Sequence, residues 1–155
     1  MSRSLTPEEK ALTLPALPTA GCDPQVPGIV ERLGKRYAPM AVPTGLPRYR
    51  TIFQCHRNCF LAVLKDARLT HVEGLARCPA TDQLVGHVWV TMDGEHAIDL
   101  TWRGQYFNVY RMAPTEYYGV EIPRDDIISI VRKNRCCGLI LHEWAAAREG
   151  NAVRS

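Results

Sequence analysis

The sequence GHVWVTMDGEHAIDLTW, residues 86–102, carries the clearest structural pattern in the chain. Apolar and polar side chains alternate on both sides of Asp93-Gly94, as they do in two strands joined by a tight turn. The sequence therefore predicts a β-hairpin with strands at Val85–Met92 and Glu95–Thr101.

The length of the turn determines which side chains of this hairpin face each other. A two-residue loop places His87 and Asp99 on opposite faces, whereas a three-residue loop, Met92–Gly94, makes them directly opposed. The longer loop also puts glycine at its left-handed third position and collects the apolar side chains on one face. We therefore predict a contact between His87 and Asp99. The apolar face then carries Val88, Val90, Ile98 and Leu100, and the other face carries His87, Trp89, Thr91, Glu95, Ala97 and Asp99.

A cysteine lies at the start of the helix predicted upstream, Cys55–Lys65 (CHRNCFLAVLK). Backbone N–H groups and the helix dipole at a helix N-terminus stabilise a thiolate, which is the nucleophilic form of cysteine. An imidazole completes this activation, and a carboxylate fixes the imidazole tautomer. We expect Cys55 to be a nucleophile, His87 its proton-transfer partner and Asp99 the group that orients His87.

The remaining elements follow from the same patterns. Strands are predicted at Thr70–Ala76 and Tyr117–Ile122, and helices from Pro123 to about Lys133 and over Leu139–Arg148. A helix, then a run of strands, then helices predicts an α+β fold in which an antiparallel sheet packs with helices.

Proline divides the chain, because eight of its eleven prolines lie in residues 1–50. We predict an N-terminal arm, residues 1–50, on a core of residues 50–148, with a helix start at Thr6–Glu9. Pro27–Ala38 has apolar residues at near-helical spacing, which predicts a short helix packed against the core. An arm that plugs the cleft is the alternative to simple wrapping.

Composition excludes several classes of protein. The 155 residues are 46% hydrophobic and 23% charged, as in globular domains, and a net charge of +3 does not indicate nucleic-acid binding. No apolar run approaches the ~20 residues of a membrane span, and no apolar segment follows the basic start as in a signal peptide. The six cysteines form no C-x-x-C pair. We expect reduced thiols in a bacterial or phage-infected cytoplasm, without membrane contact.

Three motifs in order resemble the core of transglutaminase-like cysteine enzymes in the papain-like superfamily: QCHRNCFLAVL (54–64), HVEGLA (71–76) and residues 86–102. YYGVEIP (117–123) resembles a motif of small phage and bacterial proteins of this type. The resemblance implies a cysteine at a helix start, H-x-W on one strand, D-x-T on the next, and no metal or organic cofactor. The chain differs in having Phe53-Gln54 where many members carry glycine shortly before the cysteine.

Other residues are candidates for contact with substrate or intermediates. Gln54 is a candidate oxyanion donor together with the Cys55 backbone N–H, although a surface glutamine explains it as well. Four further side chains are candidates for substrate binding: Glu73, Trp89, Trp102 and Tyr118. The alternative is an edge position on its strand for Glu73 and core packing for the three aromatic residues.

Two alternatives concern the cysteines. Cys59, one helical turn after Cys55, lies within the apolar stripe and is expected in the core. A metal site of Cys55, Cys59 and His87 is disfavoured, because i, i+4 cysteines are not a usual zinc ligand spacing.

The sequence thus predicts a cysteine-dependent hydrolase or acyltransferase that works through a thioester: a thiol protease, a deamidase or a transglutaminase-like enzyme. Its substrate would be a protein or peptide, with water or a small amide or amine as acceptor. The alternative is a catalytically silent binding or inhibitor protein, of phage origin, that keeps this fold.

Overall fold

The computed structural model of this chain describes residues 12–46, 54–102, 112–136, 138 and 140–154. Its strands are β1 Thr19–Ala20, β2 Lys35–Met40, β3 Thr70–Cys78, β4 Gln83–Thr91, β5 His96–Ile98 and β6 Tyr117–Ile122. Its helices are α1 Val26–Leu33, α2 Cys55–Lys65, α3 Arg124–Asn134 and α4 Leu141–Val153. The predicted α+β class is confirmed.

Five strands close into a barrel in the order β3, β4, β5, β2, β6, and the short β1 adds to a free edge of β4. The closing strand is β5, which pairs with β4 on one side and β2 on the other. The β2–β5 and β1–β4 pairs are parallel, so the sheet is mixed and the prediction of an antiparallel sheet is wrong. The parallel pairs arise because β1 and β2 come from the segment that was expected to form an arm.

The hairpin of β4 and β5 has a different register from the predicted one. Val90 pairs with Ile98 rather than with His96, which is a displacement of two residues. The Asp93 carboxylate explains it, because one oxygen accepts hydrogen bonds from the backbone N–H groups of the two residues after Gly94 and so enlarges the turn. Gly94 has a φ of +75°, in the left-handed region that the turn requires.

The hairpin side chains divide between two faces as predicted, and each face enters a different core. The outer face packs against α2 in a cluster of Val88, Val90, Ile98 and Leu100 with Cys59, Ala62 and Val63. The inner face fills the barrel with Trp89 and Ala97, together with Tyr37, Val72, Ala76 and Tyr117. Sorting by faces survives the register difference because side chains alternate with a period of two.

The segment before residue 47 is part of the packed structure. Val26, Ile29 and Val30 of α1 are buried in a third cluster, so this helix packs against the rest of the fold. However, Lys35–Met40 is a barrel strand and not a wrapping arm. Pro39 hid this strand, since proline normally argues against a strand with partners on both sides. The predicted helix start at Thr6–Glu9 and the boundary at residue 50 lie outside the described residues.

The C-terminal helices lie close to their predicted positions and are tied to each other. The Trp144 indole N–H donates to Asp126 at 2.9 Å, and Lys133 and Asn134 both donate to Glu143. Within the described part of the chain, no helix combines the length and the apolar character that crossing a membrane requires.

Candidate active site

Asp99 lies directly after β5 and accepts four hydrogen bonds. Its Oδ1 accepts from the backbone N–H groups of Thr101 and Trp102 at 3.0 and 2.8 Å. Its Oδ2 accepts from His87 Nε2 at 2.8 Å and from the Tyr117 hydroxyl at 2.9 Å. Burial raises the pKa of this carboxyl, but His87 and the backbone donors outweigh burial and keep it below its usual value. Asp99 is therefore a fixed buried carboxylate.

His87 lies on β4 with its side chain only 7% exposed. Burial lowers its pKa, but the Asp99 carboxylate and the Cys55 thiolate raise it to about 10. Because Nε2 is bound to Asp99, Nδ1 is the ring nitrogen left for the thiol. The Trp102 ring meets the imidazole edge-on, with 5.5 Å between the ring centroids. The imidazole is thus held between a carboxylate and an indole.

Cys55 is the first residue of α2, as predicted, and its side chain is half-buried. The first backbone hydrogen bond of the helix runs from Asn58 N–H to the Gln54 carbonyl, so the N–H groups of the first turn have no partner within the helix. Burial raises the pKa of the thiol, but hydrogen bonds and charges of His56 and His87 lower it to about 5. At neutral pH the site therefore holds a thiolate.

A hydrogen bond joins the cysteine helix to the loop that carries Asp99. Asn58, one turn after Cys55 and fully buried, donates from Nδ2 to the Thr101 hydroxyl at 2.9 Å. Thr101 in turn binds Asp99 through its backbone N–H. This link holds the thiol and the imidazole–carboxylate pair in one arrangement.

A second imidazole, which sequence reasoning missed, also contacts the thiol. His56 Nδ1 lies 3.7 Å from the Cys55 sulfur, and His56 Nε2 lies 3.9 Å from Glu73 Oε1. His71 Nε2 lies 3.7 Å from the other Glu73 oxygen. The sequence offered no partner for either histidine, because these contacts depend on how α2 packs over β3.

Glu73, Trp89 and Tyr118 are not placed to bind substrate, contrary to the prediction. Glu73 is 2% exposed, and its carboxylate accepts from the backbone N–H groups that begin α4. Trp89 is fully buried inside the barrel. Tyr118 packs in the third cluster, which contains the buried side chains of α1 and α4, and its hydroxyl donates to Glu116. For the two aromatic residues the alternative, core packing, is what the structure shows.

The other candidates lie nearer the site. Trp102 contacts His87, as described above. Gln54 is exposed at the start of α2, and its side-chain oxygen accepts from Arg57 at 3.2 Å. Cys59 is fully buried, as expected, and burial raises the pKa of its thiol, so it stays protonated.

Tyr117 and Asn58 also belong to the site and were missed. A faint signal existed for Asn58, a polar residue three positions after Cys55 and so on the same helix face. No signal in the sequence pointed to Tyr117, because its partner depends on which strand lies beside β3. No group of three or more His, Cys, Asp or Glu side chains is arranged to hold a metal ion in the described ranges.

No protein-family model matches this chain, and neither a curated protein nor a solved structure matches it. The functional proposals below therefore depend on the contacts of Cys55, His87 and Asp99.

Proposed function

We propose that this protein is a cysteine-dependent hydrolase or acyltransferase that uses Cys55, His87 and Asp99 through a thioester intermediate. One observation carries the proposal: a helix-start thiol whose pKa is lowered by two imidazoles, His56 and His87, of which His87 is bound at 2.8 Å to a buried carboxylate. A thiol that only packs in a core needs none of these partners. Cys59 illustrates this, because its pKa is raised.

The reaction proceeds in two halves. The Cys55 thiolate attacks a carbonyl carbon, and as the bond to the leaving amine breaks, the His87 imidazolium gives that amine its proton. Water or an amine then attacks the thioester, its proton passes to His87, and the carbon–sulfur bond breaks to restore the thiolate. Asp99 holds His87 in the tautomer that serves both transfers.

Negative charge on the carbonyl oxygen needs donors close to the sulfur. The N–H groups in the first turn of α2, beginning with that of Cys55, fit this role because they have no partner within the helix. The Gln54 amide remains a second candidate donor, since it is exposed at the same helix end.

The fold relationship that we propose is with transglutaminase-like enzymes. Supporting features are the cysteine at the start of α2, His87-Val88-Trp89 on β4 and Asp99-Leu100-Thr101 after β5. Each element of the motif has a contact of its own here: Trp89 fills the barrel, and Thr101 accepts from Asn58.

Access to the site favours a slender substrate. His87 and Asp99 are each about nine-tenths buried, and Cys55 is half-buried. A carbonyl on an extended peptide or at the end of an amide side chain can approach such a thiol, so we propose a protein or peptide substrate. Water or a small amine serves as the acceptor.

Acylation of the purified chain tests the proposal. We expect p-nitrophenyl acetate to place one acetyl group on Cys55, visible as a mass increase in the intact protein, and water or an added amine to remove it. Cys55→Ala should abolish both events, and Cys136→Ala, which removes an exposed thiol, should change neither. If Cys136 acylates as fast as Cys55, or the Cys55 adduct is never released, a silent binding protein becomes the better interpretation.

A further inference from the structure

The Cys55 sulfur has two imidazole neighbours, and the triad accounts for only one of them. His56 presents Nδ1 to the sulfur at 3.7 Å and turns Nε2 toward the Glu73 carboxylate at 3.9 Å. His87 uses its ring in the same way, with Nε2 on the Asp99 carboxylate and Nδ1 left for the thiol. Each imidazole thus has a carboxylate beside it, hydrogen-bonded at 2.8 Å for His87 and at ion-pair distance, 3.9 Å, for His56.

Glu73 is held firmly in its position beside His56. Its Oε1 accepts from the backbone N–H groups of Ile140 and Leu141 at 3.2 and 3.1 Å, at the start of α4. Burial raises the pKa of this carboxyl, but His56 and His71 lower it to about 2. Burial lowers the pKa of His71 itself, which keeps that ring neutral. The negative charge of Glu73 is therefore available to His56.

We propose that His56, with the Glu73 carboxylate 3.9 Å away, is a second catalytic imidazole at Cys55 that stays protonated and stabilises the thiolate while His87 carries protons. This inference rests on the proposed role of Cys55 as nucleophile. Glu73 acts through His56 and is a positioning residue.

The charges on His87 and on the sulfur during the reaction show why a second imidazole is useful. When His87 has given its proton to the leaving amine, it is neutral and no longer stabilises negative charge on sulfur. In the second half of the reaction His87 takes the acceptor's proton as the acceptor attacks, and the sulfur then leaves the acyl carbon as a thiolate. An imidazolium at His56 stabilises that leaving thiolate, gains and loses no proton, and so leaves the overall proton balance unchanged.

The other ionisable groups around the sulfur do not duplicate this role. His87 faces it from β4, Glu73 and His71 lie on β3, Asp99 follows β5, and Cys59 lies behind Cys55 on α2. Of these, the carboxylates are negative, Cys59 is a protonated thiol and His71 is neutral. Burial lowers the pKa of His56, but the thiolate and Glu73 raise it to about 9, so His56 is charged at neutral pH.

The pH dependence of Cys55 alkylation by iodoacetamide tests the inference, because only the thiolate reacts. We expect a midpoint near pH 5 in the parent chain. His56→Gln and His87→Gln should each raise this midpoint by ~1 unit or more, which is a tenfold lower thiolate fraction below the midpoint. The double variant should approach the ordinary thiol value of ~8.5. Glu73→Gln, which keeps an acceptor oxygen for α4, should shift the midpoint in the same direction by less than His56→Gln.

The matched control is His142→Gln, which changes an exposed imidazole on α4. Its midpoint should equal that of the parent chain, and thermal unfolding of every variant checks that it is folded. If His56→Gln keeps the parent midpoint, or His87→Gln alone already gives the ordinary thiol value, the second imidazole does nothing and the inference fails. Should His56→Gln not fold, an unchanged midpoint in Glu73→Gln has the same consequence.

Alkylation requires no turnover, so the two proposals fail separately. If the low midpoint depends on His56 but the chain never releases an acyl group, the proposed hydrolase or acyltransferase activity is refuted and the proposed role of His56 stands. If the parent chain and His56→Gln release the acyl group equally fast and have identical midpoints, the proposed activity stands and the proposed role of His56 is refuted.

Discussion

Replacing Asp99 with asparagine tests the centre of the site with almost no change of shape. Four donors converge on the carboxylate: two backbone N–H groups on Oδ1, and His87 Nε2 with the Tyr117 hydroxyl on Oδ2. Asparagine has a single acceptor oxygen. When that oxygen serves the backbone groups, its NH2 group faces His87 and Tyr117, and two hydrogen bonds to a charged acceptor are lost.

The loss of folding free energy that we expect in Asp99→Asn follows from the number of hydrogen bonds that are lost. A hydrogen bond to an ionised group contributes roughly 1.5–3 kcal/mol, so two lost bonds set an upper limit of ~6 kcal/mol. His87 offsets part of the loss, because it can release its proton and accept from the new NH2 group. We expect Asp99→Asn to lower the free energy of unfolding by about 3 kcal/mol at pH 7, measured by urea denaturation with an unchanged m-value.

This change in the free energy of unfolding should depend on pH in a defined direction. The folded pKa of His87 is raised from 6.5 to about 10, so the stability that it contributes is complete below pH 6.5 and is lost as pH rises toward 10. The difference in the free energy of unfolding between the parent chain and Asp99→Asn should therefore be largest near pH 6 and become small above pH 9.

The control is Asp93→Asn in the same hairpin. Asp93 also contacts a histidine, His96, but both side chains are exposed, and solvent screens such a pair. Its effect on stability should be much smaller than that of Asp99→Asn. If the two variants are equally stable, or if the free energy of unfolding of Asp99→Asn is within ~0.5 kcal/mol of that of the parent chain, the buried carboxylate does not organise the site.

Three further changes test the packing around the site. Gly119→Ala places a methyl group 2.7 Å from the indole inside the barrel and should cost about 2–3 kcal/mol in thermal unfolding, whereas Gly150→Ala, in open space on α4, should be neutral or stabilising. Asn58→Ala leaves the Thr101 hydroxyl without its donor, and should lower stability by about 1–3 kcal/mol and slow Cys55 alkylation. The Glu73 pKa is depressed from 4.5 to about 2, so its stabilising effect is present above pH 4.5 and is lost as pH falls toward 2. Acid unfolding of Glu73→Gln, followed by circular dichroism, should consequently be less steep than that of the parent chain.

Local patterns predicted the elements whose periodicity is unbroken. Tyr117–Ile122 has its predicted bounds, and α2 begins at Cys55 as expected. Burial of one face predicted how the hairpin side chains divide between two faces, of which one lines the barrel interior and the other packs against α2. These features depend on residues that are neighbours in the sequence or are joined by a short turn.

Contacts between distant segments were not predictable in the same way. Lys35–Met40 is a barrel strand only because β5 and β6 flank it, and Pro39 argued against a strand. His56 and Glu73 come together because α2 packs over β3. The prediction of substrate contact for Glu73 is wrong because nothing in the sequence shows that α4 begins directly above it.

The hairpin explains why the His87–Asp99 contact survived an error in register. A slip of one residue would turn a whole apolar face toward polar surroundings at ~1.5–3 kcal/mol for each large side chain, whereas a slip of two residues keeps every face. Continuing the observed Val90–Ile98 register places Asp99 opposite Trp89, so His87 meets Asp99 diagonally. Diagonal Cβ atoms are ~7–8 Å apart, against ~5 Å for a direct pair, so the far ring nitrogen, Nε2, makes the contact. The nearer nitrogen, Nδ1, is thereby left for Cys55, and the two-residue displacement determines which nitrogen serves the thiol.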